Sequence, residues 1–146
     1  MVDYSKVDVG DEVPGLEATF TLDDVRGFLG AWNGRGDSPM GGRFTDASAA
    51  QREGFGGSGN AIVPGRMGLA YLARALMEWL PEGRIEKLDV VFRSPTFQNT
   101  KHTASGIVTD RNEGDNGIRL ELDVYLERED GQRPQRGAAV VVLPKA

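Results

Sequence analysis

Apolar residues fall at helical spacing in the first half of the chain and at strand spacing in the second, which predicts helices followed by a sheet. Val25, Phe28, Leu29 and Trp32 recur at i, i+3, i+4 and i+7, one stripe that a helix must bury. Thr21 precedes them as an N-cap, with Asp24 three residues on, an acid suited to the free amides and the dipole there. From Asn33 to Arg43 the segment has four glycines and a proline among polar residues, and reads as a loop. Asp46 then caps a short helical turn through Ala47 to Glu53, with Gly54 as its left-handed stop, before a second glycine-rich stretch from Phe55 to Asn60. Pro64 just inside the start and Gly83 just beyond the end bracket a third helix, Gly65 to Leu80. Only Arg66, Arg74 and Glu78 are strongly polar in it, on one i, i+4 line, while Met67, Leu69, Leu72, Leu76, Met77, Trp79 and Leu80 spread around the remainder. A helix apolar over most of its circumference is expected in a core, with nearly all of that circumference covered.

Beyond that helix the period becomes two. Leu88, Val90 and Phe92 alternate with Asp89 and Val91, Thr103 to Thr109 is β-branched and small, and Gly137 to Leu143 ends in a valine run. In Ile118 to Leu126 the apolar residues Ile118, Leu120, Leu122, Val124 and Leu126 alternate with Arg119, Glu121, Asp123 and Tyr125, as a strand with one wet face requires. Asn116-Gly117 and Asp130-Gly131 supply turn chemistry, so these strands are expected to form an antiparallel meander. A sheet curled around the long helix is the simple way to bury both, an α+β fold in one domain spanning 1–146.

Composition narrows the function classes. A net charge of -5 disfavours nucleic acid as a partner, because that affinity rests on Lys and Arg neutralising phosphates. The chain has no cysteine, hence no disulfide, thiolate nucleophile or cysteine metal site, and one histidine, His102, which rules out a multi-histidine metal site. Met1 to Gly10 carries acids and no apolar run, so neither a secretory signal nor a transit peptide is expected there. The mostly apolar Met67 to Leu80 is too short for the roughly 20 residues that span a bilayer, and Arg74 and Glu78 interrupt it. A cytoplasmic protein without a membrane partner is expected.

Several segments, in order, resemble the MaoC-like acyl-thioester hydratases and dehydratases, of hot-dog fold. Gly36-Asp37-Ser38-Pro39, Asp46-Ala47-Ser48-Ala49-Ala50, Gly54-Phe55 and Ile62-Val63-Pro64-Gly65-Arg66-Met67 look like that family's active-site segment. Its pattern runs Gly-Asp, Asn-Pro, His-x-Asp, a small helix, Gly-Phe, then Ile-Val-His-Gly-Met. Phe92-Arg93-Ser94-Pro95-Thr96 resembles the family's Phe-x-x-Pro-Val, and Asn99-Thr100 through Gly106 its Gly-Asp-Thr strand. The resemblance covers roughly residues 7 to 143. It implies a homodimer or a hot-dog heteromer, an acyl-CoA or acyl-carrier-protein thioester as ligand, no cofactor, and reversible addition of water to a 2-enoyl thioester.

The departures from the pattern fall on its acid-base pair. Asp37 matches the family's Asp, but Phe44 stands where its first histidine would be and Pro64 where its second would be; Ser38 replaces the Asn. Losing such a group should cost about 10²–10⁴ in rate, so the family's usual mechanism is not expected to run unaltered. His102 lies in the sheet half, as a surface or packed histidine rather than a replacement. The candidates are then Asp37 as base or water holder, and the amides of Gly65, Arg66 and Met67 at the positive end of the long helix as holders of a thioester oxygen. Phe44 joins them in contacting the acyl group. Asn60 and Ser58 add hydrogen bonds to a ligand or serve only as turn residues, and Arg43 meets an anion or solvent. Three readings follow: a hydratase/dehydratase with a modified site, an inactive hot-dog subunit that binds an acyl ligand or pairs with an active homologue, and, last, a thioesterase. The thioesterase needs a helix carboxylate at the thioester, and Glu78, the acid available, sits near the wrong end.

Overall fold

The computed structural model describes residues 3–33, 42–54 and 59–145, and for residues 32 and 33 the backbone only. Strand β1 (Glu12–Thr19) leads into helix α1 (Leu22–Asn33), followed by α2 (Ala47–Arg52), β2 (Ile62–Val63) and α3 (Gly65–Trp79). Strands β3 (Arg84–Phe92), β4 (Thr96–Phe97), β5 (Lys101–Gly114), β6 (Gly117–Arg128) and β7 (Gln135–Leu143) complete the chain. The start of α1 is a reciprocal cap: the Asp24 N–H donates to Thr21 Oγ1 at 3.2 Å and the Thr21 N–H to Asp24 Oδ2 at 2.9 Å. Those bonds hold the Asp24 carboxyl below its usual pKa, the backbone bond contributing most. Asp46 accepts from the Ser48 N–H as the cap of α2, and Gly54 follows that helix at φ +90.

Five strands form one antiparallel sheet in the order β1-β5-β6-β7-β3, and β2 pairs with β4 in a separate two-stranded ladder. The expected meander holds for β5, β6 and β7 but not for β3, which pairs with β7. Between β3 and β5 the chain leaves the sheet to form β4 against β2, so those two strands cannot close a hairpin. The edge of β5 is taken instead by β1, whose register slips between Val13 and Leu16 at Pro14-Gly15.

Two apolar clusters lie along α3 and meet at Tyr71, which packs against both. Leu72, Ala75, Leu76 and Leu80 lie among the inward residues of the sheet, including Ala104, Leu120, Leu122, Leu126 and Val141. Met67 joins Phe20, Val25 and Leu29 with Phe44, Ile62, Val63 and Phe97. The expectation that nearly all of α3 would be covered is corrected. Arg66, Ala70, Arg74 and Glu78 are exposed, Met77 is 50% exposed, and Arg74 pairs with Glu78 at 2.7 Å on that side. A five-stranded sheet lies along one side of a helix, and within this chain nothing described covers the other.

Candidate functional site

The start of α3 is built with residues from two strands, β3 and β7. Pro64 is its N-cap, extended at φ -54 and ψ 133, with no side-chain capping bond. The first amides of a helix lack intrahelical acceptors, so where each points decides what the end can hold. The Met67 N–H donates to the Pro64 carbonyl at 2.9 Å, whereas the Gly65 N–H has no acceptor among the described residues. Glycines at 65 and 68 share one helix face, and each makes room for a side chain. A Cβ on Gly65 would stand 2.5 Å from the Phe92 ring, and one on Gly68 2.5 Å from Gln135 Nε2. Phe92 and Gln135 are opposite each other in the β3–β7 register, and Gln135 Nε2 donates to the Gly65 carbonyl at 2.9 Å. Any larger residue at 65 or 68 would push one of them away.

Beside this end lies a cavity of about 370 Å³, within the lower range of small-molecule sites. Its apolar walls are Phe44, Ile62, Val63, Phe92 and Pro95, with Gly65 between them; its polar members are Arg43, Arg93, Ser94, Thr96 and Gln135. Gln98, 3% exposed, fixes one wall by donating from Nε2 to the Phe44 carbonyl at 2.5 Å and the Ile62 carbonyl at 3.1 Å. Arg43, read from sequence as a loop cation, is ion-paired with Glu53 at the end of α2 at 2.5 Å. Larger hollows lie around Asp115 at the β5–β6 hairpin and around Tyr125 on the outer sheet face, and about half of each lining is charged residues. The described lining residues of the cavity supply an apolar recess, an N–H donor and two cations, and no carboxylate or imidazole.

Of the residues singled out by sequence, Gly65 and Phe44 line the cavity, and Phe44 is 7% exposed. Arg66 is exposed, and neither it nor Met67 is among the lining residues. Asn60 lies away from the cavity lining, and its Oδ1 accepts from Asn99 Nδ2 at 3.2 Å. Asp37 and Ser58 lie outside the described residues. Sequence reasoning did not single out Gln135 and Thr96. Signals for both were present: a glutamine opening an apolar strand, and a threonine where the resembling pattern has valine.

His102 is packed, not exposed: it is 0% exposed, its Nδ1–H donates to the Thr100 carbonyl at 2.8 Å, and its ring lies 6.3 Å from that of Phe20. With Nδ1 protonated, Nε2 is left as a buried acceptor without a partner among the described residues. Burial pushes its pKa below the usual 6.5, against a smaller upward push from the Thr100 bond. A lowered folded pKa means that the unfolded chain binds the proton more readily. His102 therefore contributes stability that is fully present above about pH 6.5 and lost as pH falls toward the folded value. Urea denaturation between pH 7.5 and 5.5 should show stability falling in this window, with a flatter profile in His102→Gln; equal slopes would show that the imidazole is solvated.

Neither a family sequence model nor a curated protein matches the chain. Solved structures do match, over nearly its whole length. An (R)-hydratase from A. caviae involved in PHA biosynthesis is 23% identical, with 95% of this chain and 98% of that one covered at a TM-score of 0.79. A MaoC-like dehydratase from Rhodospirillum rubrum is 17% identical, covering 100% and 99% at 0.78. The HadBC (3R-hydroxyacyl-ACP dehydratase) complex from Mycobacterium tuberculosis includes a chain 12% identical, covering 94% and 99% at 0.68. The chain has the hot-dog fold of the MaoC-like dehydratases and (R)-hydratases, as the resemblance implied.

Proposed function

We propose that this protein binds an acyl thioester, on CoA or an acyl-carrier protein, and acts as a hydratase/dehydratase with a modified active site. The observation that carries this reading is the Gly65 N–H, without an acceptor among the described residues, at the edge of an apolar cavity. An acyl chain fits that recess, and its thioester oxygen accepts from the Gly65 N–H. The positive end of α3 then favours the negative charge that builds on this oxygen when C2 becomes carbanion-like. Asp37 completes the chemistry: its carboxylate takes a proton from water as the water oxygen adds to C3, and returns that proton to C2. Dehydration is the reverse. The experiment is to follow loss of the conjugated double bond of 2-butenoyl-CoA and longer 2-enoyl thioesters. Turnover is expected; none across chain lengths and both carriers would refute the enzymatic part.

A second reading, a binding or partner subunit, is favoured by a specific observation. Phe44, buried in the cavity wall, stands where the resembling pattern has its histidine, and the chain's one histidine is packed elsewhere. Heteromeric assembly has a parallel in HadBC, described as a complex. Co-purification with a histidine-bearing homologue would support this reading, as would ligand binding without turnover. In either case we place the protein in the cytoplasm, as a homodimer or heteromer; no helix among the described residues is long and apolar enough to cross a membrane.

A further inference from the structure

Gln135 stands where the fold asks for an apolar side chain. It opens β7 on the face that carries Ala139, Val141 and Leu143, all in the core between α3 and the sheet, and it is 2% exposed. Its Oε1 is buried without a hydrogen-bond partner among the described residues, a desolvation cost that a methionine of the same length would not carry. The amide makes one bond there, from Nε2 to the Gly65 carbonyl at 2.9 Å. That bond is not needed to satisfy the carbonyl, because a helix offers its first carbonyls to N–H groups one turn on. It fixes where residue 65 faces. Pro64, the N-cap, makes no side-chain capping bond, so the usual local lock on a helix start is missing, and Gln135 supplies one from outside. The anchor is firm: β7 lies between β3 and β6, with Gln135 opposite Phe92 on one side and Leu126 on the other. The Pro134 carbonyl just before it accepts the Arg93 N–H at 2.7 Å. On the helix side, a Cβ on Gly68 would stand 2.5 Å from Nε2 and 2.9 Å from Cδ, so the amide rests on a turn that glycine leaves open.

We infer that Gln135 is a positioning residue for the start of α3: by holding the Gly65 carbonyl, it keeps the N–H of the same residue aimed at the thioester oxygen of a bound acyl ligand. This rests on the reading of that N–H as the oxygen's partner. A donor stabilises developing charge most when it is already in place and needs no reorganisation as the charge appears. Glycine has the widest backbone freedom of any residue, so residue 65 gains most from an external hold. A clamp on its carbonyl limits the swing of its N–H, and the Phe92 ring, packed where a Cβ at 65 would be, limits it further. Gln135 acts in this way without touching the ligand's reacting atoms.

Gln135→Met keeps the length of the side chain and removes the donor. The probe is butyryl-CoA labelled with ¹³C at the thioester carbon, which reports the polarisation of the carbonyl and needs binding but no turnover. In wild type that resonance should move downfield on binding. In Gln135→Met the bound resonance should fall back toward its free position, while affinity changes by less than about 3-fold, the low end for one net hydrogen bond. With 2-butenoyl-CoA as substrate, kcat should drop about 10- to 100-fold at nearly constant KM, short of the loss when an oxyanion donor is removed outright. Gly68→Ala reads the same bond from the helix side, because its new Cβ displaces the amide while alanine favours the helix. It decides the matter should Gln135→Met fail to fold. A bound resonance that keeps its wild-type position in the folded variant overturns the inference and leaves the thioester site standing. A joint loss of affinity and melting temperature overturns it too, since Gln135 would then be a packing residue. A wild-type resonance that stays in place although the ligand binds, or no binding at all, overturns the reading of the Gly65 N–H and the inference with it.

Discussion

Replacing Asp37 with asparagine is expected to lower the hydration of a 2-enoyl-CoA by about 10²–10⁴-fold, the loss typical of a missing acid-base group. Asparagine keeps the size and most of the hydrogen bonding of aspartate but cannot accept the proton of an attacking water. The loss should therefore fall on kcat, with KM and the binding of a saturated acyl thioester nearly unchanged, as for an interaction used only in the transition state. No described residue lining the cavity can substitute, since the titratable ones are Arg43 and Arg93, and His102 is packed elsewhere with its pKa lowered by burial. An unchanged kcat would make Asp37 a solvated turn residue of its glycine-rich segment. A fall in binding and turnover together would make it a contact to the ligand instead.

Leu72→Ala is expected to destabilise the protein by about 2–5 kcal/mol, the range for truncating a buried leucine whose surroundings relax only in part. Leu72 is 1% exposed and lies in the cluster between α3 and the sheet, among strands tied into register on both sides. Five residues along the same helix, Met77 is 50% exposed, and Met77→Ala should change stability by no more than about 0.5 kcal/mol. The contrast is read from urea midpoints of the isolated chain, provided that the slope stays constant. Equal losses at the two positions would mean that α3 is surrounded, as its apolar pattern had led one to expect, with a second copy covering the Met77 side in solution.

That pair of residues also shows what the sequence could and could not reveal. Periodicity identifies α3 and its ends, because proline and glycine mark them, but it cannot say how many layers of protein surround the helix. Leu69, Met77 and Trp79 are as apolar as Leu72 and differ only in what the rest of the fold places over them. Local chemistry was legible wherever the partners are close in sequence: Thr21 with Asp24, Asp46 with Ser48, the alternation of β6. Pairing across long separations was not. Nothing in Glu12–Thr19, interrupted by Pro14 and Gly15, announces pairing with residues 101–107, and the two-residue ladder of β2 and β4 is too short to carry a period. The site divides in the same way. Gly65 and Phe44 were legible from the helix start and the residue pattern, whereas Gln135 reaches that helix across 70 positions of sequence. Asn60 and Met67 were named for their proximity in the chain, and their hydrogen bonds run to Asn99 and Pro64.

The most direct measurement is a two-dimensional amide NMR titration of the ¹⁵N-labelled protein with butyryl-CoA. If the start of α3 holds the thioester oxygen, the Gly65 N–H resonance should move downfield with saturation, and the Gln135 side-chain amide, bonded to the Gly65 carbonyl, should shift with it. Shifts confined to other surfaces, or a Gly65 signal that stays in place while the ligand binds, would contradict the account.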